Sequence, residues 1–194
     1  MTIKNTHNFK KIIGKYVNLR EADIEDCAFI LKLRTNEKLS KYINQTSPDL
    51  QRQIDYINKY KSLENEWYFI IENKKEEPIG TIRIYPYPDY PKYPEYSEVG
   101  NLGTGSWLMK DGSSPLESIE SDYLIKEFFF NVLNINFTPM EINKGNKTVI
   151  AFQNKWGTKM IGDIDHSYTY RLYKDDYIKN KSYFAKFLYG SKCQ

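Results

Sequence analysis

Residues 105–117 read GSWLMKDGSSPLE. The stretch divides into the end of a strand, a polar loop and the start of a helix. GTGSWLM at 103–109 reads as a strand. Ser114-Pro115-Leu116-Glu117 is a capping box, S-x-x-E, with proline at the first helical position, where no N–H is needed. The helix it opens is expected to bury Ile125, Phe128, Phe129 and Val132. A loop that feeds directly into a helix N-terminus is a potential anion site. The first N–H groups there lack partners, and the helix dipole is positive at that end.

Upstream, YVNLRE at 16–21 alternates like a strand, and Asp23 is placed to cap a helix. Ile24, Cys27, Ala28 and Leu31 recur at i, i+3, i+4, i+7 and predict its apolar face. Ser47-Pro48-Asp49 opens a second helix, with Ser47 as cap and Leu50, Ile54 and Ile57 as the buried stripe. WYFII at 67–71 is aromatic and β-branched. IGTIRIY at 79–85 alternates, with Ile82 and Ile84 opposite Thr81, Arg83 and Tyr85. Downstream, MEIN at 140–143 is strand-like. Asn146 caps a helix presenting Val149, Phe152 and Trp156, and Gly157 stands where a left-handed C-cap falls. Residues 158–164 and 167–173 form a strand pair, and 175–189 is a lysine- and aromatic-rich helix. The order predicts one mixed α/β domain over 1–194, with its core at 16–174 and a C-terminal helix and tail at 175–194.

The chain has 194 residues, 40% of them hydrophobic, which is enough for a core and too many for a disordered chain. Net charge is +3, from 28 basic and 25 acidic residues, and only five of the basic residues are arginines. That modest excess argues against a nucleic-acid partner. No apolar run is long enough to span a membrane, so no membrane partner is expected. Cys27 and Cys193 are poorly placed for a bridge, which suits a reducing cytoplasm. His7 and His166 are the only histidines, too few for an expected metal site. His166 is expected to open the last strand in a structural role.

Residues 85–96, YPYPDYPKYPEY, hold five tyrosines and four of the eight prolines. Such spacing forces extended, polyproline-like backbone. The tract joins two strands of the same domain, so it is not a domain linker. Its tyrosines can stack on sugars or nucleobases. A packed surface arm and a homodimer contact are the competing readings.

Four stretches resemble the GNAT N-acetyltransferase superfamily, in the branch of ribosomal-protein N-terminal and small-molecule amine acetyltransferases. They are VNLREADIEDCAFILKLR at 17–34, PIGTIRIY at 78–85, GSWLM at 105–109 and NKTVIAFQNKWG at 146–157. The resemblance implies a twisted sheet of about six to seven strands with four or five helices, splayed between the fourth and fifth strands. It implies acetyl transfer from acetyl-CoA to a primary amine. Pantetheine would bond the backbone of Trp107, Leu108 and Met109. The pyrophosphate would rest on Gly112, Ser113 and Ser114, with Lys155 offsetting nearby acids and Asn146 near the thioester. The 85–96 tract would border the acceptor, making Tyr85, Tyr87, Tyr90 and Tyr93 substrate-binding candidates.

The loop departs from the family pattern. Gly112 is its one glycine, Pro115 removes an N–H, and Asp111, Glu117, Glu120 and Asp122 crowd a site meant for a diphosphate. In proton chemistry, Glu98 is the nearest acid for a general base. The position where relatives often carry an acidic tyrosine is Gln153. A thiol of pKa ~8.5 leaves without much help. A lysine-like amine (~10.4) costs a base about 3.4 kcal/mol more deprotonation work than one of ~7.7–8. The sequence therefore points to an acceptor amine of lowered pKa, such as an amino sugar, a nucleotide-linked amino sugar or an N-terminal amine. The alternatives are a non-catalytic domain that keeps the fold and an N-terminal protein acetyltransferase.

Overall fold

The structure, a computed structural model, describes residues 11–63, 65–87 and 102–190. Glu98, Tyr90, Tyr93 and most of the tyrosine–proline tract lie outside them. The described chain forms two compact units, and each is described by itself.

The first unit takes the described residues of Lys4–Tyr85 and Gly105–Ser121. Its strands are β1 (Ile12–Ile13), β2 (Val17–Glu21), β3 (Trp67–Asn73), β4 (Pro78–Pro86) up to Tyr85 and β5 (Leu102–Met109) from Gly105, hydrogen-bonded in that order. The first three pairings are antiparallel, with Leu19 opposite Ile71 and Phe69 opposite Ile82. The short β1 was not anticipated. Six of the seven β3 residues are buried, because both faces of the sheet are covered. The expected alternation along β4 fails for the same reason. Thr81 is as buried as Ile82, and its hydroxyl donates to the Ser106 carbonyl at 2.9 Å.

Asp23 caps as expected, in a reciprocal box with Asp26, but the first turn, Ile24–Asp26, is a 3₁₀ helix. Three residues per turn there rotate the pattern before α1 (Cys27–Thr35) begins. The buried face is thus Cys27, Ile30 and Leu33, while Ile24 and Ala28 are exposed. α2 (Leu50–Tyr60) is capped by Asp49, not Ser47, and the Asp49 carboxylate accepts from Arg52 N–H at 3.2 Å. The helix's buried residues are Gln53, Ile57 and Tyr60, Ile54 packs partly buried against the same core, and Leu50 is exposed. Tyr60 then sits in the core with Cys27, Ile30, Tyr68 and Ile70, where its hydroxyl accepts from Tyr68 N–H at 2.7 Å.

The second unit takes the described residues of Pro86–Thr104 and Asp122–Gln194. β6 (Phe137–Asn143), β7 (Lys159–Ile164) and β8 (Ser167–Tyr173) form an antiparallel sheet in the order β6-β8-β7. The helix α3 (Pro115–Glu127) runs on into a π turn, Phe128–Val132, closed by Leu133 N–H to the Phe128 carbonyl at 2.9 Å. The wider turn carries Val132 off the apolar face, so Phe130 is buried where Val132 was expected. α4 (Lys147–Lys155) and α5 (Lys174–Tyr189) complete the unit. α5 falls where the helix at 175–189 was expected and buries Tyr177, Phe184 and Leu188. Phe184 stacks on Trp156 at 3.8 Å, and Tyr177 stacks on Phe130 at 4.5 Å. Trp156 Nε1 donates to Asp122, whose carboxylate also pairs with buried Lys126 at 2.5 Å.

The fold is mixed α/β, with eight strands in two antiparallel sheets and five α-helices among the described residues. β5 and β6, the strands expected to splay, belong to different sheets.

Candidate active site

The loop after β5 turns at Gly112, whose φ of +87° is left-handed and open to solvent, a conformation that glycine adopts without strain. Ser113 N–H closes the turn on the Lys110 carbonyl at 3.2 Å. The Ser113 hydroxyl oxygen is buried and has no hydrogen-bond partner among the described residues. Such a group costs about 1–3 kcal/mol unless a ligand or water satisfies it. Ser114 is already engaged. Its N–H donates to Glu117 Oε2 at 2.7 Å, and its hydroxyl accepts from Glu117 N–H at 3.2 Å. The capping box expected from the sequence is therefore formed.

The acids that crowd this loop in sequence are largely spent elsewhere. Glu120 is fully buried and accepts from the backbone N–H groups of Lys15, Tyr16 and Val17 at 2.8, 2.6 and 2.8 Å. Asp122 is enclosed by Lys126, Gln153 and Trp156. Asp111 pairs with Lys38 at 3.2 Å. Only Glu117 remains beside the turn.

β5 is the edge strand of its sheet, which leaves one side of its backbone to whatever lies alongside. Trp107 is fixed by its indole N–H on Ser121 Oγ at 3.1 Å, and Leu108 is buried. β4 comes so close at Gly80 that a Cβ there would lie 2.5 Å from the Leu108 carbonyl oxygen. Within β5, Ser106 has φ +50°, a left-handed conformation that costs a non-glycine residue about 1–3 kcal/mol. Its carbonyl accepts from Thr81, and its hydroxyl accepts from Arg34 Nη1 at 2.9 Å.

Arg34 leads from β5 into a cavity of about 310 Å³ lined by Arg34, Arg52, Gln53, Tyr56, Tyr68 and Arg83. Arg83 donates to the Tyr56 hydroxyl and lies over the rings of Tyr56, Tyr68 and Tyr85 at 5.1, 5.3 and 5.1 Å. Burial pushes the Tyr56 phenol up to about 12 and raises that of Tyr68, so both stay protonated at neutral pH. Gln53 Nε2 is buried and has no partner among the described residues. The cavity was not read from the sequence. Three of only five arginines line it, and that scarcity was the available signal.

Of the candidates, Tyr85, Trp107 to Met109 and Gly112 to Ser114 lie in the first unit. Tyr87, Asn146 and Lys155 lie in the second. Tyr87 is buried with its ring against Gly103, where a Cβ would meet it at 2.3 Å. Asn146 caps α4, accepting from Val149 N–H at 3.3 Å, and Gly157 ends that helix at φ +83°. Lys155 is exposed. Gln153 is buried and donates to Asp122 at 3.0 Å. His166 sits exposed in the β7–β8 turn rather than within the last strand.

An edge strand thus runs through a glycine–serine turn into a capped helix. The sequence profile of the Acetyltransferase (GNAT) domain matches residues 17–159, and the chain belongs to that family. It is an N-acetyltransferase, and the family uses acetyl-CoA. Among solved structures, the chain is 32% identical to FdhC, described as a nucleotide-linked sugar GNAT. That match covers 92% of this chain and 98% of FdhC, at TM-score 0.77. A GCN5-related N-acetyltransferase from Brucella melitensis shares 13% identity over 100% of this chain and 92% of its own, at TM-score 0.75. Spermidine N-acetyltransferase from Vibrio cholerae, in complex with CoA and spermine, shares 13% identity over 85% of this chain and 99% of its own, at TM-score 0.68. At that identity the last two are alike in fold alone. No curated protein sequence matches the chain. Among the described residues, no cluster of side chains could hold a metal ion and no helix is long and apolar enough to cross a membrane.

Proposed function

We propose that the protein transfers an acetyl group from acetyl-CoA to the primary amine of an amino sugar carried on a nucleotide. The supporting observation is the 32% identity, over nearly the full length of both chains, to a nucleotide-linked sugar GNAT. The orphaned Ser113 hydroxyl beside the left-handed Gly112 turn suits a phosphate oxygen of the donor, with Lys110 adjacent. Because Ser114 is engaged by Glu117, the phosphate contacts fall on Gly112 and Ser113.

The reaction is direct. The free amine attacks the thioester carbonyl carbon, a C–N bond forms, the C–S bond breaks and CoA leaves as its thiolate. Backbone N–H groups of β5 hold the developing oxyanion. Glu98 takes the proton from the amine. Gln153 cannot protonate the sulfur, so the thiolate, of pKa ~8.5, takes its proton from water. An amine of lowered pKa makes this modest equipment sufficient.

The test is thiol release from acetyl-CoA with a UDP-linked amino sugar and, separately, with spermidine. Saturable release is expected with the amino sugar, with kcat/KM controlled by a group titrating near ~7.7–8. Turnover of spermidine alone, or a required group titrating near ~10.4, would contradict the proposal.

A further inference from the structure

Three guanidiniums converge on the cavity over α2 and β4, and Asp49 is the one carboxylate among its described lining residues. Arg52 pairs with Asp49 at 3.5 Å, and Asp49 is also the cap of α2. Arg83 pairs at 3.5 Å with Glu66, a residue outside the cavity lining. Arg34 donates to a hydroxyl and to the Asn44 carbonyl, and among the described residues no carboxylate pairs with it. Three guanidiniums against the two carboxylates of Asp49 and Glu66 leave the cavity with an excess of positive charge, and Arg34 is the arginine of the three with no carboxylate partner among the described residues. Gln53, more than nine-tenths buried, adds an amide N–H₂ with no partner.

Guanidinium donors in excess of carboxylates, beside an amide donor with no partner among the described residues, suit an anion with several oxygens. Arg forks bind phosphate oxygens in pairs. Arg83 is held in advance by the Tyr56 hydroxyl and three tyrosine rings, so little of its freedom is lost on binding. Arg34 joins this cavity to Ser106 of β5, the strand proposed to carry the thioester. A ligand held by Arg34 would thus place its far end toward the donor. A polyamine would meet like charge.

We infer that this cavity binds the diphosphate of a nucleoside diphosphate acceptor, through Arg34, Arg52 and Arg83 with Gln53 and the Tyr56 hydroxyl as further donors. The inference rests on the nucleotide-sugar reading and assigns its anion subsite. The cavity's volume is near the lower end of ligand pockets, roughly 300–1,000 Å³, and suits the diphosphate with part of the nucleoside while the sugar lies at the mouth.

Calorimetry with UDP and with inorganic pyrophosphate tests this, on the wild-type chain and on Arg34→Met, Arg52→Met and Arg83→Met. Acetyl-CoA is titrated into each in parallel. UDP is expected to bind saturably, with and without saturating CoA, and each substitution is expected to weaken it about tenfold or more, as for a charge-assisted bond. Acetyl-CoA affinity is expected to hold in Arg52→Met and Arg83→Met, whereas Arg34 also bonds Ser106 of β5 and its variant is read on UDP alone. Arg52 is exposed, so its variant stays readable even if the other two fail to fold. Pyrophosphate is expected to bind more weakly than UDP, with the same dependence on the arginines. UDP that competes with CoA and is indifferent to Arg52→Met would overturn the inference, as would UDP that fails to bind a chain that binds acetyl-CoA. A chain that binds UDP through these arginines but never acetyl-CoA would instead sink the acetyl-transfer reading.

Discussion

At the scale of single residues, Ser113 carries the donor site. Its hydroxyl is the one polar atom of the turn that is buried without a partner among the described residues. Ser113→Ala removes a hydrogen bond to a charged group, so KM for acetyl-CoA is expected to rise about tenfold while kcat changes little. Steady-state kinetics with acetyl-CoA varied at saturating acceptor measures this, and an unchanged KM would count against the phosphate contact. The Ser114–Glu117 capping box was legible in the sequence, because its partners are three residues apart and its chemistry is local. The role of Glu120 was not. Its carboxylate bonds N–H groups 103–105 residues away, and nothing in the neighbouring sequence marks that. Read locally it was an acid opposing a diphosphate, whereas folded it fastens the segment before β2. The scarcity of arginines was legible, but their convergence on one cavity was not, since α1, α2 and β4 bring them together only in the fold.

At the scale of elements, β4 and β5 are set by their contact at Gly80. A methyl group there would sit 2.5 Å from the Leu108 carbonyl oxygen and 2.7 Å from Met109 sulfur, so β5 would have to shift. Gly80→Ala is therefore expected to weaken acetyl-CoA binding more than UDP binding, and to lower the melting temperature. Equal effects on both ligands, measured by calorimetry, would deny β5 its donor role. The elements themselves were largely legible. The strand at 103–109, the helix opening at Pro115 and the final strand pair fall where period and caps predicted. The faces were less so. A 3₁₀ turn before α1 and a π turn after α3 each rotate the apolar pattern, and no ideal helical period anticipates them. The depth of α5 was also missed, because a lysine-rich helix reads as surface until Trp156 is found stacked on Phe184.

At the scale of the whole molecule, buried phenols set an alkaline limit. Burial raises Tyr56 to about 12 and also raises Tyr60, Tyr68 and Tyr177. In the unfolded chain these groups ionise near 10. Their neutral form is preferred in the fold, so the stability they contribute is complete below about pH 10 and is lost as pH rises toward the folded values. Urea unfolding followed by circular dichroism between pH 8 and pH 12 should show a falling free energy above about 10, with buried tyrosinate appearing only as structure is lost. A flat free energy across that range would contradict the burial of these phenols.

The acetyl-transfer account depends most on where the donor's diphosphate lies. A crystal structure of the protein with CoA bound tests that directly. The diphosphate is predicted against Gly112 and Ser113, with an oxygen within about 3 Å of Ser113 Oγ and the pantetheine alongside Trp107 to Met109. Diphosphate density away from this turn, or none at saturating CoA, would contradict the account.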